Sequence, residues 1–207
     1  APPPPSDMQA NNDSTPPPRS PPNPNQNLDR TWPNPAAPAP SAERGRVEFT
    51  SVAHDGGVPC SGCHALPSGT NRVLIPAQAL QESQAMKVPH VRNMYEKTGF
   101  TDAPGAQKRG FGFIHDGSID NLFDFLRLPV FNFSGDQARR DVEAFLLAFD
   151  TGMAPSVGRE LSVTAAPEAD AATAAQLDSL GPEAEEGKCE FVVAYYPGGA
   201  PGTARGC

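Results

Sequence analysis

Cys60-Ser61-Gly62-Cys63-His64 is the stretch on which the reading of this chain turns. Two thiols three positions apart, with an imidazole directly after the second, have the spacing that attaches a c-type haem. Each thiol can add to one vinyl group of the porphyrin while His64 reaches the iron from the same side. Cys60 and Cys63 are thus the expected covalent attachment points and His64 the proximal ligand. A zinc site would need a second pair of ligands at matching spacing. The other two cysteines, Cys189 and Cys207, lie far along the chain with no histidine near them. A thioredoxin-type pair would stand between a strand and a helix, whereas here Val58-Pro59 follows a Gly56-Gly57 turn.

Outward from this motif the pattern reads as helix. Arg46 to Val52 can form a short helix that presents Val47 and Phe49 or Val52 to the haem. Ser134-Gly135-Asp136-Gln137 reads as a capping box opening a helix through Asp150, with Val142, Phe145, Leu146 and Phe149 on one stripe and Thr151-Gly152 as its stop. A further helix from Ser118 to Leu128 places Ile119, Leu122, Phe123 and Leu126 on one face before Pro129 ends it. The expected fold is mainly α, a cytochrome c-like helical haem domain, because a chain of this size needs its apolar faces to wrap the porphyrin.

Three spaced motifs carry a resemblance beyond the haem box: Lys87-Val88-Pro89-His90-Val91-Arg92-Asn93, His115-Asp116-Gly117-Ser118, and Asp141-Val142-Glu143-Ala144-Phe145-Leu146. With Cys60 to His64 they resemble the C-terminal haem domain of bacterial di-haem cytochrome c peroxidases and of the related enzymes that mature methylamine dehydrogenase. The resemblance covers about Arg44 to Gly158. It implies a domain that passes electrons in a periplasmic or extracellular setting, with Arg92 near the haem propionates. It also implies that His115 lies near the propionate edge, close to a family calcium site. The sequence departs from the family in two ways. It has one haem motif, so the peroxide-reactive haem domain is missing. The family's sixth iron ligand, a methionine or tyrosine, falls at position 129, which is Pro129 here.

Candidates for the distal position are therefore His54, His90, His115, Met86, Met94 and Met153, since imidazole and thioether both suit haem iron. Met94, just after Arg92-Asn93, and His115, at the entry to the Ser118 segment, lead. An open, five-coordinate iron is the third outcome, with Phe131 and Phe133 walling off the distal face. No Ser/His/Asp triad and no paired-carboxylate site stands out, so no catalytic residue is assigned.

The ends of the chain differ from its centre. Fourteen of the 25 prolines fall between Pro2 and Pro40, and no glycine precedes Gly45. Residues 1–44 therefore read as a disordered, extended Pro-rich arm, with Trp32 as the side chain able to dock. Residues 45–158 form the haem domain, and residues 159–207 a small acidic α+β extension in which Cys189 and Cys207 pair as a disulfide in an oxidising compartment. A net charge of −8 argues against a nucleic-acid partner, and no apolar run is long enough to span a membrane. The sequence reading is an exported mono-haem c-type cytochrome, its signal peptide removed, transferring single electrons between redox protein partners or within a larger electron-transfer complex. Two alternatives stand beside it. One is a haem peroxidase or oxygenase with an open distal site, and the other a docking subunit tethered through its Pro-rich arm.

Overall fold

The computed structural model describes residues 22–80, 82–99, 110–157, 160–163, 171–186, 191–194 and 202–206. Its first helix, α1 (Ala42–Ser51), starts where Ser41 places its hydroxyl to accept the Arg44 amide at 3.1 Å. Gly45 and Phe49 stand four residues apart on one face of α1, and that face meets α5 (Asp136–Leu147). A Cβ at position 45 would overlap the Asp141 carbonyl of α5, so the two backbones touch there. One turn on, Phe49 and Phe145 pack with ring centroids 5.2 Å apart, both fully buried, beside Val142. Leu122, Leu126, Phe133 and Phe149 extend this core.

Between the two helices the chain is mostly turns and short pairs. β1 (Ala53–Asp55) and β2 (Val58–Pro59) form an antiparallel hairpin across Gly56 and Gly57, whose φ values of 55° and 85° suit glycine. A 3-10 turn, Cys60–Gly62, follows directly. Next, β3 (Leu74–Ile75) pairs with β4 (Met86–Lys87), Leu74 opposite Lys87, with α2 (Ala77–Leu80) between them. Single-turn helices α3 (Met94–Lys97) and α4 (Leu122–Phe125) complete the segment. Beyond α5 lie β5 (Glu160–Val163), α6 (Ala171–Glu185), β6 (Phe191–Ala194) and β7 (Gly202–Gly206), the strands forming an antiparallel sheet in the order β5-β7-β6. Cys189 and Cys207, with their expected disulfide, lie outside the described residues.

The expected mainly α, cytochrome c-like helical fold is not the one adopted. Helices account for 34% of the described residues, and α2, α3 and α4 are single turns set among two two-stranded sheets and one three-stranded sheet. Local polar groups and glycines divert the backbone. The helix expected from Ser118 shrinks to Leu122–Phe125 because Asp116 Oδ1 accepts the Ser118 amide at 3.0 Å and Ile119 pairs with Phe113 in an isolated bridge. Asn121 then supplies the cap, accepting the Asp124 amide at 2.8 Å. The capping box at Ser134 does not form. Gly135 is the N-cap without a side-chain bond, and the Gln137 amide turns instead to Asp141 at 3.1 Å.

The second correction concerns the arm, expected as disordered through residue 44. Residues 22–41 are instead strapped to the core. Asn23, buried at 1% exposure, donates its amide to both Leu147 O and Phe149 O at 2.9 Å, satisfying carbonyls at the end of α5. Arg30 grips Asp150 with both contacts under 3.0 Å. Trp32 meets Phe145 edge-on at 5.6 Å, with the Arg46 guanidinium over its ring. The Ser41 amide donates to Asp141 Oδ1 at 2.7 Å, and Arg44 donates to both oxygens of the same carboxylate. Proline-rich composition thus describes this stretch less well than its asparagines, which substitute for the next turn of a helix. Among the described residues no helix is long and apolar enough to cross a membrane.

Two outcomes follow from the crossing. Gly45→Ala should destabilise the protein by about 2 kcal/mol in chemical denaturation, because backbone carbonyl cannot yield to a methyl group as a side chain could. Burial alone would raise the Asp141 carboxyl, but hydrogen bonds from Arg44, Ser41 and Gln137 and the Arg44 charge outweigh it and hold the group below the usual carboxylate range. A carboxyl depressed in the folded state stabilises above its unfolded pKa of about 3.9 and loses that contribution as pH falls through the folded value. Asp141→Asn should therefore lower stability near neutrality and flatten the fall seen below about pH 4. Equal slopes in the two proteins would remove Asp141 from the acid transition.

Candidate functional site

The 3-10 turn brings the three motif residues onto one short arc. The amides of Cys63 and His64 both donate to the Cys60 carbonyl, at 3.2 and 2.8 Å, so the chain doubles back within four residues. Neither Cys60 nor Cys63 is in a disulfide. Burial pushes the Cys60 thiol up to about 11, reinforced by the nearby charges of Asp55 and Cys63, and its sulfur keeps its proton. That is the state from which an S–H adds across a vinyl double bond, the sulfur bonding one carbon and the hydrogen the other.

His64 is oriented by backbone. Its Nδ1 lies 3.0 Å from Pro89 O and 3.2 Å from Gly69 O. Both partners are carbonyls, which accept only, so Nδ1 carries the hydrogen and Nε2 keeps the lone pair that a metal needs. The residues beside these two carbonyls tie their segments to the motif and to each other. The Asn71 amide donates to Cys63 O at 2.8 Å, the Asn71 side chain to Gly62 O at 3.1 Å, and the Thr70 hydroxyl to Val88 O at 2.6 Å. Gly69 has φ 74° and is walled in by Val91 and Phe149, a position closed to a side chain. The Phe49 ring stands 6.4 Å from the His64 ring and ties the motif to the helix crossing.

Arg92 lies half-buried with its Nε inside the protein and unpartnered, while its Nη2 makes a long contact to Pro67 O at 3.5 Å. A buried guanidinium hydrogen without an acceptor suits a carboxylate, and haem carries two. The residues present fit a covalently bound haem in three respects. Two thiols stand on the same turn as an imidazole of the right tautomer, and a guanidinium stands ready for a carboxylate.

The distal candidates go to different places. Met94, at the start of α3, is buried in the core cluster at 8% exposure. His115 is half-exposed, with Nε2 3.8 Å from Glu82 Oε1. His54 is committed elsewhere. Its ring nitrogens lie 3.0 Å from Asn132 O and 3.1 Å from Glu48 Oε2, and the ring stacks on Phe133 at 4.0 Å. It bolts the hairpin between α1 and the segment leading into α5. Phe133 is occupied by that stacking, and Phe131 packs on Phe125 at 5.2 Å. His90 Nδ1 accepts the Arg92 amide at 3.2 Å. Met86 sits on β4, and Met153 follows Gly152. Of the helix-facing trio expected at the haem, Phe49 is buried while Val47 and Val52 are exposed. Around His115 the calcium implied by resemblance finds no cluster of three or more His, Cys, Asp or Glu among the described residues.

Sequence reasoning missed the parts of the site made by backbone. Pro89 and Gly69 act through their carbonyls, so residue type gives no direct sign of their role. Gly69 could have been flagged as a required left-handed turn five residues after His64. Compared with models of known protein families, with curated proteins and with solved structures, the chain matches none.

Proposed function

We propose that this chain is an exported c-type electron carrier that holds one haem through Cys60 and Cys63, with His64 as proximal iron ligand. The observation that carries the reading is the His64 imidazole, locked by Pro89 O and Gly69 O with Nε2 left free beside two thiols. The haem supplies a one-electron couple at iron. The chain's own residues do the rest. Cys60 and Cys63 fix the porphyrin covalently, the Nδ1–H bond fixes the ring plane of His64 and enriches its electron density, and Arg92 neutralises a propionate. The motifs shared with the di-haem peroxidases support haem binding, and the single motif in this sequence supports electron transfer over peroxide turnover. Covalent attachment takes place outside the cytoplasm, so the reading includes export to the periplasm or beyond.

Docking through the Pro-rich arm is less well supported, because residues 22–41 are spent on the chain's own core. Trp32 faces Phe145, and Asn23 faces the end of α5.

The intact mass of protein produced in a host able to attach haem should equal the polypeptide plus one haem. A bare polypeptide mass would overturn the reading. Cys63→Ser should lower the yield of attached haem, and His64→Ala should abolish the low-spin spectrum while leaving attachment possible. With a reduced donor, peroxide turnover by this chain alone should be negligible. One of Met94→Ala and His115→Ala should lose the six-coordinate spectrum; a six-coordinate spectrum kept in both would move the distal ligand to another residue, and a five-coordinate native protein would mean an open iron.

A further inference from the structure

The chain carries a net charge of −8, yet its cations are not evenly neutralised. Arg30, Arg44, Arg46, Arg127, Arg139 and Arg140 each face a carboxylate within 4 Å. Arg72, Lys87, Arg92 and Lys97 form no ion pair among the described residues, and all four lie in the segment that carries Pro89. The acidic residues nearest in sequence do not quench them. Glu82 faces His115, and Glu96 makes no ion pair among the described residues.

Arg72 and Lys87 lie on or beside the β3-β4 hairpin, and Arg92 and Lys97 on the segment that follows it. Leu74 is paired with Lys87 across the β3-β4 hairpin, and the Val88 amide donates to Val73 O at 2.9 Å, which sets Arg72 beside Pro89. His90 sits among them, its imidazole held below the usual range by burial and then by the charges of Arg92, Lys87 and Lys97. Lys97 stands over the Phe113 ring at 5.2 Å. On the same hairpin Leu74, directly opposite Lys87, is 63% exposed, an apolar spot with cations beside it.

The position of this face gives it meaning. Pro89, between Lys87 and His90, receives the His64 Nδ1 hydrogen, and Asn71, next to Arg72, binds Cys63 O. The patch is therefore built on the two segments that hold the haem motif. We propose that the face formed by Arg72, Leu74 and Lys87 is the docking surface for electron exchange, and that its partner is a redox protein presenting carboxylates around a small apolar centre. This rests on the haem reading above. Unpaired like charges on an otherwise acidic protein steer an anionic partner to one orientation, and a small apolar centre keeps the complex short-lived. A flat anionic bilayer fits less well, because it would also meet the acidic remainder of the surface.

The test is the salt dependence of oxidation of the reduced, haem-loaded protein by two small reagents, anionic ferricyanide and cationic tris(phenanthroline)cobalt(III). If the patch governs approach, the ferricyanide rate falls as ionic strength rises and the cobalt rate climbs, opposite to what the net charge dictates. R72E/K87E, both at exposed positions, should slow ferricyanide about tenfold at low salt and invert its salt slope. R127E, outside the patch, should leave the slope unchanged, and the milder R72Q/K87Q should flatten it. Ferricyanide rates that rise with salt in the native protein, or that R72E/K87E leaves unchanged, would overturn the proposal. So would sedimentation with phosphatidylglycerol vesicles that R72E/K87E abolishes while ferricyanide stays unsteered, which would assign the face to lipid. A chain whose mass shows no haem sinks the functional reading, and this one with it. Failure of steering in a haem-loaded protein sinks this one alone.

Discussion

The contact between the Gly45 backbone and the Asp141 carbonyl is the constraint on which the rest of the molecule depends. Only a residue without a side chain lets α1 and α5 approach so closely, and the approach aligns Phe49 with Phe145. It also carries the Asp141 carboxylate to the start of α1, where it receives the Ser41 amide and the Arg44 guanidinium. A single helix crossing thereby fixes the hydrophobic core, the entry of the first helix and the end of the strap that precedes it. That carboxylate is 5% exposed. Its charge is tolerable because every approach to it is a donor.

The Cys60–His64 turn is positioned by that frame. Phe49 leans towards His64 from α1, Phe149 closes against Gly69 from beyond α5, and His54 pins the hairpin that leads into Cys60. The imidazole is then set by two backbone carbonyls rather than by a titratable side chain. A backbone carbonyl carries no charge that changes with pH, so neither partner of Nδ1 is itself titratable. For the proposed electron carrier this matters, because small reorganisation of the ligand on electron transfer requires a ring that does not turn.

Some of this was legible from residue order and some was not. The spacing of Cys60, Cys63 and His64 placed the three on one turn, and the stripe Val142, Phe145, Leu146 and Phe149 is buried as its period requires. The helical content was over-read. A periodic apolar pattern such as Ile119, Leu122, Phe123 and Leu126 says which residues go inside, but Asp116 and Asn121 decide where the backbone can begin to coil. Proline content misled for residues 22–41 for a related reason. A Pro-rich chain lacks donors for a sheet, yet Asn23 and Arg30 supply side-chain donors to the end of α5 and to Asp150. Contacts between residues more than a hundred positions apart leave no local trace in composition. Nor do carbonyl ligands such as Pro89 O.

Both thiols and the imidazole of one short turn are proposed to hold one haem. The pyridine haemochrome spectrum of the purified holoprotein, after acid-acetone extraction, tests it most directly, because the α-band position reports how many vinyl groups have been saturated. With both attachments in place, the haem stays with the polypeptide and its α-band lies where two thioether bonds place it. Haem that passes into the acetone, or a band set by one or two intact vinyl groups, would contradict the joint role of Cys60 and Cys63.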